Sequence, residues 1–346
     1  NIWFVMAMFC LGLIGMEFAT IFTNAMLPDL APREELGKVS GSGWAWGYVG
    51  GLVALILMLT LLAEGSNGKT LIGIDPIFGL DAETREGTRS VGPLTAIWYV
   101  VFMVPFFLWV REPRKPDAVS IGAAISGAWP ELKTTLMGLP RNRSLFAFLG
   151  SSMFYRDALN GVYTFGGIYA AGVLGWSVVQ VGIFGILAAF TGAVFAFLGG
   201  KADSRFGPKP VIVFNVVALS LTALAIVFVS REAVFGMPVA AESSLPDILF
   251  YILGALVGAA GGAMQSASRT MMVRQGDTEK MTEGFGLYAL SGKATAFLAP
   301  LSIGIATDLS GSQQIGILPV VVLFILGLLL LAFVNPDGSQ PEGQAA

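Results

Sequence analysis

Apolar runs of about 20 residues, the length a helix needs to cross the hydrocarbon core of a bilayer, recur along the whole chain. Nine can be marked, at about 2–27, 43–62, 93–110, 145–174, 178–199, 210–230, 247–271, 284–307 and 315–334. The 346 residues are 55% hydrophobic and 12% charged, against roughly 25% charged in a soluble domain. The expectation is an all-α polytopic membrane protein of about nine transmembrane helices. What the chain lacks narrows its chemistry. There is no histidine and a single cysteine, Cys10, so an intrachain disulfide is excluded and no metal or haem site is expected. No basic domain or recognition motif points to nucleic acid. A Gly-x4-Gly-Lys-Ser/Thr loop and a Gly-x-Ser-x-Gly elbow are both missing, which argues against an ATP-driven pump and an intramembrane enzyme; no cofactor is expected.

The basic residues set an orientation. Loops after the first, third, fifth and seventh spans carry thirteen of the 20 lysines and arginines, and the opposite loops carry four. By the positive-inside rule the first set is cytoplasmic, and so is the tail 335–346. The longest cytoplasmic loop, 111–144, divides residues 1–110 (three helices) from a six-helix bundle over 145–334. Within it Ile121, Ile125, Trp129 and Leu132 recur at helical spacing, which suggests an interfacial helix that Pro130 would begin or interrupt. Glycines spaced at four in the second span (Gly43, Gly47, Gly51) and the seventh (Gly254, Gly258, Gly262) suit closely packed helices. The chain opens Asn-Ile-Trp inside an apolar run, with neither an initiator Met nor a basic n-region. It reads as a chain whose beginning is missing, not as a signal peptide.

Charges deep in the spans are the candidate functional residues. In Leu145–Trp176, Arg156 lies roughly 17 Å along a helix at ~1.5 Å per residue, near mid-membrane. A charge there costs at least ~2.5–3.5 kcal/mol on insertion scales, so it faces a partner or a water-filled path. Arg156, Asn160 and Tyr163, at i, i+4 and i+7, share one helix face, and the adjacent Asp157 points about 100° away. Either residue can be half of a structural pair with a neighbouring helix or part of a substrate path. The same alternatives hold for Glu17 in the first span and Lys293 in the eighth. Gln265 and Tyr288 complete the candidate path. A membrane carboxylate such as Glu17 or Asp157 is also a natural proton carrier. Arg269 is expected to hold the cytoplasmic end of its helix. If Arg156 and Lys293 face a cavity, they favour an anionic group such as an amino-acid carboxylate.

Between the fifth and sixth spans the sequence Gly199-Gly-Lys-Ala-Asp203-Ser-Arg205-Phe-Gly207-Pro-Lys209 resembles the signature loop of the major facilitator superfamily. Asp203 can accept hydrogen bonds at a helix N-terminus, Gly207 supplies a turn, and Arg205 and Lys209 anchor the cytoplasmic face. One extra residue separates Asp203 from Gly207, leaving open which cation pairs. Further stretches narrow the branch: Asn24–Pro32, Gly43–Gly51, Phe165–Gly172, Gln265–Arg269 and Phe285–Lys293 look like bacterial relatives of the fungal vacuolar amino-acid effluxers. The resemblance implies two six-helix bundles with the nine spans as the family's fourth to twelfth, the first three helices being absent. It further implies a monomeric, multi-pass secondary transporter of a bacterial inner membrane, surrounded by lipid. Such a transporter moves a small metabolite by alternating access, with amino-acid efflux and proton coupling as finer expectations. The competing expectation is a non-transporting receptor or assembly protein on the same scaffold.

Overall fold

In the computed structural model, residues 2–65, 67–111, 121–240 and 242–338 are described, and helices dominate them. The main helices are α1 (Ile2–Ala25), α2 (Leu36–Leu57), α3 (Val91–Trp109), α4 (Ile121–Gly138), α5 (Arg143–Leu174), α6 (Val178–Phe206), α7 (Pro208–Val227), α8 (Leu245–Gln275), α9 (Met281–Ala294), α10 (Leu298–Ser310) and α11 (Leu318–Leu331). Among the described residues, eight helical segments are long and apolar enough to cross a membrane by length and composition. The ninth expected span, α5, is a continuous 32-residue helix. Its hydropathy is held down by Ser151, Ser152, Arg156, Asp157 and Asn160.

The expected span 284–307 is not one helix. It breaks into α9 and α10 at Thr295–Phe297. Pro300 supplies the reason: it has no N–H to give the carbonyl four residues back, and its ring would clash there, so it fits only the first turn of a new helix. The turn between α5 and α6 is as short as the sequence suggested. Ser177 and Gln180 form a reciprocal capping box at the start of α6. Helix α4 runs straight through Pro130, with Trp129 exposed. The side chains of Ile121 and Ile125, on which the interfacial reading also rested, lie outside the described residues.

Contacts divide the chain into two units, 1–47 with 137–346, and 48–136. In the first, α8 packs most extensively on α6 and α7, α5 on α11, and α1 on α9. The α6–α8 contact is made backbone to backbone. A Cβ at Gly258 would collide with the Ala188 carbonyl, one at Gly262 would stand 2.5 Å from the Gly192 carbonyl oxygen, and Gly199 faces Ala263 equally closely. The similarly spaced glycines of α2 differ: a Cβ added at Gly47 or Gly51 would meet nothing outside its own helix within 4 Å among the described residues.

Polar knots close both ends of this unit. At the end carrying Gly207, the Ser144 hydroxyl donates to Gln275 Oε1 at 2.6 Å, Gln275 Nε2 donates to the Asn335 carbonyl at 2.6 Å, and the Asn335 amide donates to Ser144 at 2.8 Å. At the far end Arg231 binds the Leu174 carbonyl and the Asp247 carboxylate, which the Trp176 indole N–H also reaches. A hairpin of β1 (Ala233–Val234) and β2 (Met237–Pro238) turns on Phe235 and Gly236, both at positive φ, the backbone of a tight hairpin turn.

In the unit 48–136, α2 runs into a wider π turn, Met58–Leu62, followed by a loop pinned by Glu64. Glu64 accepts from the Thr88 hydroxyl at 2.6 Å and the Thr88 amide at 3.0 Å, with Arg85 at 3.5 Å. The hydroxyl of Thr88 first, then backbone amides and Arg85, hold this carboxyl below the usual range against the opposing effect of burial.

Two outcomes follow from this packing. Gly258→Val should lower thermal stability in detergent by about 1–3 kcal/mol or more, because the colliding atom is backbone and cannot swing aside. Gly47→Val, with open space, should leave the unfolding midpoint near wild type. For Glu64, a depressed folded-state pKa means that its contribution is present above the unfolded carboxylate range and lost as pH falls through the folded value. The opening free energy of the Thr88 amide, from hydrogen exchange corrected for intrinsic rate, should exceed that of Glu64→Gln at neutral pH and converge with it on acidification.

Candidate functional site

The charges singled out in the sequence do not pair as neighbours; each is met by a helix other than its own. On α5, Arg156 turns toward α9. Its Nη1 donates to the Tyr288 carbonyl at 2.8 Å and its guanidinium lies over the Tyr288 ring, 4.0 Å from the centroid. The helix leaves room for it at Gly292, where a Cβ would stand 2.8 Å from the Arg156 Cζ and the guanidinium would have to shift. Tyr288 is held in turn by stacking on Phe148 and an edge contact with Phe285. Among the described residues no carboxylate is paired with Arg156.

Asp157, fully buried, points to α10, where its Oδ2 accepts the Ala299 amide at 3.0 Å. That amide is one of those a helix start leaves free, so α5 supplies a cap for the helix that Pro300 begins. The other oxygen, Oδ1, has no partner among the described residues. Asn160 and Tyr163 are exposed farther along α5; the Tyr163 hydroxyl lies against Gly261 of α8.

Glu17 and Lys293, 276 positions apart in sequence, form an ion pair at 2.8 Å between α1 and α9. Lys293 stands in the last turn of α9, where carbonyls without helical partners favour a cation. Glu17 is in the body of α1, with no such support.

Some of these residues border a cavity of about 70 Å³ lined by Glu17, Asn24, Trp44, Arg156, Gln265, Arg269 and Tyr288, among others. It has room for a few waters and is well below the ~300 Å³ of a pocket that encloses a small ligand. The structure brings Glu17, Arg156, Gln265 and Tyr288 to this cavity, with Lys293 joined through Glu17. Asp157, Asn160 and Tyr163 are not among the residues that line it.

Arg269, expected to hold the cytoplasmic end of its own helix, binds residues of two other helices. Six positions short of that end, its guanidinium donates to Asn24 Oδ1 at 3.0 Å, the Ser40 carbonyl at 2.6 Å and the Ser40 hydroxyl at 3.2 Å. It also lies over Trp44, 4.8 Å from the ring centroid. One cation thus ties α8 to α1 and α2. Sequence reasoning passed over Asn24, Ser40 and Trp44; a polar pair and an indole in otherwise apolar spans were the available signal.

The signature loop packs against the same region. Gly207, at φ 84°, separates α6 from α7, and its amide bonds the Asp203 carbonyl at 2.7 Å. Asp203 is buried, with its carboxylate near the Thr270 hydroxyl and Arg274, yet neither oxygen is in bonding geometry with a donor among the described residues. The capping expected of it falls instead to Ser204, whose hydroxyl accepts the Lys38 amide at the start of α2 at 3.1 Å. Gly37 lies directly on Asp203, which sets that carboxylate beside the positive end of α2. Among the described residues neither Arg205 nor Lys209 pairs with Asp203. Arg205 lies over Phe206, and Lys209 donates to the Val334 carbonyl at 2.7 Å beyond the end of α11.

The family model described as "Vacuole effluxer Atg22 like" matches residues 2–344. The chain is 24% identical over 350 residues to the uncharacterized MFS-type transporter YxiO of Bacillus subtilis, covering 99% of this chain and 74% of that protein. It is 25% identical over 328 residues to autophagy-related protein 22-2 of Emericella nidulans, covering 89% and 53% respectively. With autophagy-related protein 22 of Cryptococcus neoformans var. neoformans the figures are 23% over 313 residues, 88% and 51%. The chain spans about half the length of these fungal relatives.

Replacing Arg269 by Gln should cost at least ~2 kcal/mol of thermal stability, since several bonds to a charged group go at once. Arg269→Lys should recover little, because one ammonium cannot reproduce a fork that serves Asn24 and Ser40 together. Thermal unfolding of the purified protein measures both.

Proposed function

The chain belongs to the vacuole effluxer Atg22-like family, within the major-facilitator-type membrane proteins, and on that footing we propose that it carries α-amino acids or closely related small metabolites outward across a bacterial inner membrane by alternating access. The observation that carries this reading is the charge pattern of the α1–α5–α8–α9 cavity. Arg156 offers a guanidinium with no carboxylate partner among the described residues, while the Glu17 carboxylate is held by a single ammonium. A zwitterion matches both: its carboxylate suits Arg156, and its ammonium suits Glu17. Burying either charge of such a ligand without a counter-charge would be costly.

The charge bias of the loops supports a cytoplasmic C-terminal tail. Residues 145–334 are proposed as one six-helix bundle and residues 1–110 as part of the other, with Gly199, Asp203, Arg205, Gly207 and Lys209 as the gate loop where α2 meets α6. Proton coupling, through Glu17 or Asp157, is the finer part of the proposal, and a monomer is the expected state.

The test is flux of a labelled amino-acid panel by the full-length gene product in proteoliposomes, with and without a pH gradient. Saturable flux is expected for at least one member, enhanced by the gradient. In Arg156→Gln it should fall at least about tenfold, the equivalent of ~1.4 kcal/mol of lost charged hydrogen bonding. Absence of flux across the panel, or unchanged flux in a folded Arg156→Gln protein, would overturn the reading.

A further inference from the structure

The Glu17–Lys293 pair places a lysine ammonium where the ammonium of a zwitterionic substrate would sit, and we infer that Lys293 is a tethered stand-in for the substrate cation, which neutralises Glu17 while the carrier is empty. The inference rests on the transport reading above and adds to it the step that returns the unloaded carrier.

Three observations support it. The pair is close, at 2.8 Å, and joins two helices, α1 and α9, that both border the cavity. The two partners are unequally supported. Lys293 has the carbonyl end of α9 beneath it and is about half exposed, with a side-chain exposure of 55%. Glu17 is 28% exposed, and no hydrogen bond to its carboxylate other than this contact is found among the described residues. If the pair parts, Lys293 keeps a favourable field and Glu17 is left as a poorly solvated anion. Finally, the charges facing Glu17 across the cavity are not substitutes for Lys293. Arg156 is engaged with Tyr288, and Arg269 with Asn24 and Ser40.

The physical consequence concerns the order of events. A substrate ammonium that reaches Glu17 displaces Lys293, so the loaded carrier holds Glu17 neutral by means of its cargo. After release the lysine swings back, and the empty carrier changes conformation without an unpaired carboxylate in the membrane interior, which would be costly. A carrier so equipped performs net transport. One without the lysine can still exchange substrate for substrate, because both crossings are then made loaded.

The experiment compares two modes in proteoliposomes holding the full-length protein, using the labelled amino acid that the wild type transports. Net efflux is measured into substrate-free buffer, and exchange against the same amino acid outside. Lys293→Gln should lose about tenfold or more of net efflux while exchange stays within about threefold of wild type, the difference corresponding to an uncompensated charge in the empty state. Lys293→Arg, which keeps a cation, should retain net efflux and keeps the test decisive if Lys293→Gln does not fold. Equal loss of both modes in a folded Lys293→Gln protein, or no loss of either, would overturn the inference while leaving the transport reading intact. A wild type that moves nothing overturns the transport reading, and this inference with it.

Discussion

A full charge inside an apolar helix bundle has to be met by something, and this requirement organises the larger of the two contact units. Each deep charge meets it differently. Arg156 uses a carbonyl and an aromatic face, Arg269 a fork of amide, hydroxyl and carbonyl oxygens, and Asp157 the free amide of a helix start. Only Glu17 and Lys293 take each other. Two of these solutions require irregular backbone. Asp157 needs the start of α10, and Lys293 needs the end of α9. Both termini exist because Pro300 prevents one continuous helix. The break therefore supplies a helix start for one of these charges and a helix end for the other.

Close backbone approach is the second constraint, and it is unevenly distributed. Along α6 and α8, glycines let carbonyl oxygens sit where side chains would otherwise stand, which excludes larger residues at Gly258 and Gly262. Hydrophobic area distinguishes lipid poorly from protein inside a membrane, so such contacts draw on dispersion and packing. The glycines of α2 with the same spacing do not do this. Gly43 leaves space near the Arg269 guanidinium, and the next two face no neighbour among the described residues.

Much of this organisation was legible in the sequence, for reasons that differ residue by residue. Helical spans follow from apolar length, and Arg156, Asp157, Glu17 and Lys293 were visible because a charge in such a run is costly. Partnership was not legible. Nothing local in the sequence links Glu17 to Lys293 or Asp157 to Ala299, since these contacts close over 276 and 142 positions. The α9–α10 break was written in Pro300 but overridden by an apolar run long enough for a single span. Glycine spacing identified which helix faces are small without saying whether anything packs on them. At the signature loop the motif directed attention to Asp203, whereas the hydrogen bond to α2 is made by Ser204, a residue too common in loops to stand out.

The polar interior of α5 also bears on how the chain enters the membrane. Arg156 finds its carbonyl 132 residues later and Asp157 its amide 142 residues later, so when α5 leaves the ribosome neither partner has been synthesised. On its own α5 is a poor substrate for the insertion machinery, with two charges at ~2.5–3.5 kcal/mol each near its centre. The three residues that separate it from the strongly apolar α6 change that situation. The two helices reach the bilayer nearly together, and the second can draw in the first as an antiparallel hairpin. The consequence for biogenesis is an order: the partners of Arg156 and Asp157 follow α5 in synthesis, so these two contacts close only after α9 and α10 are made.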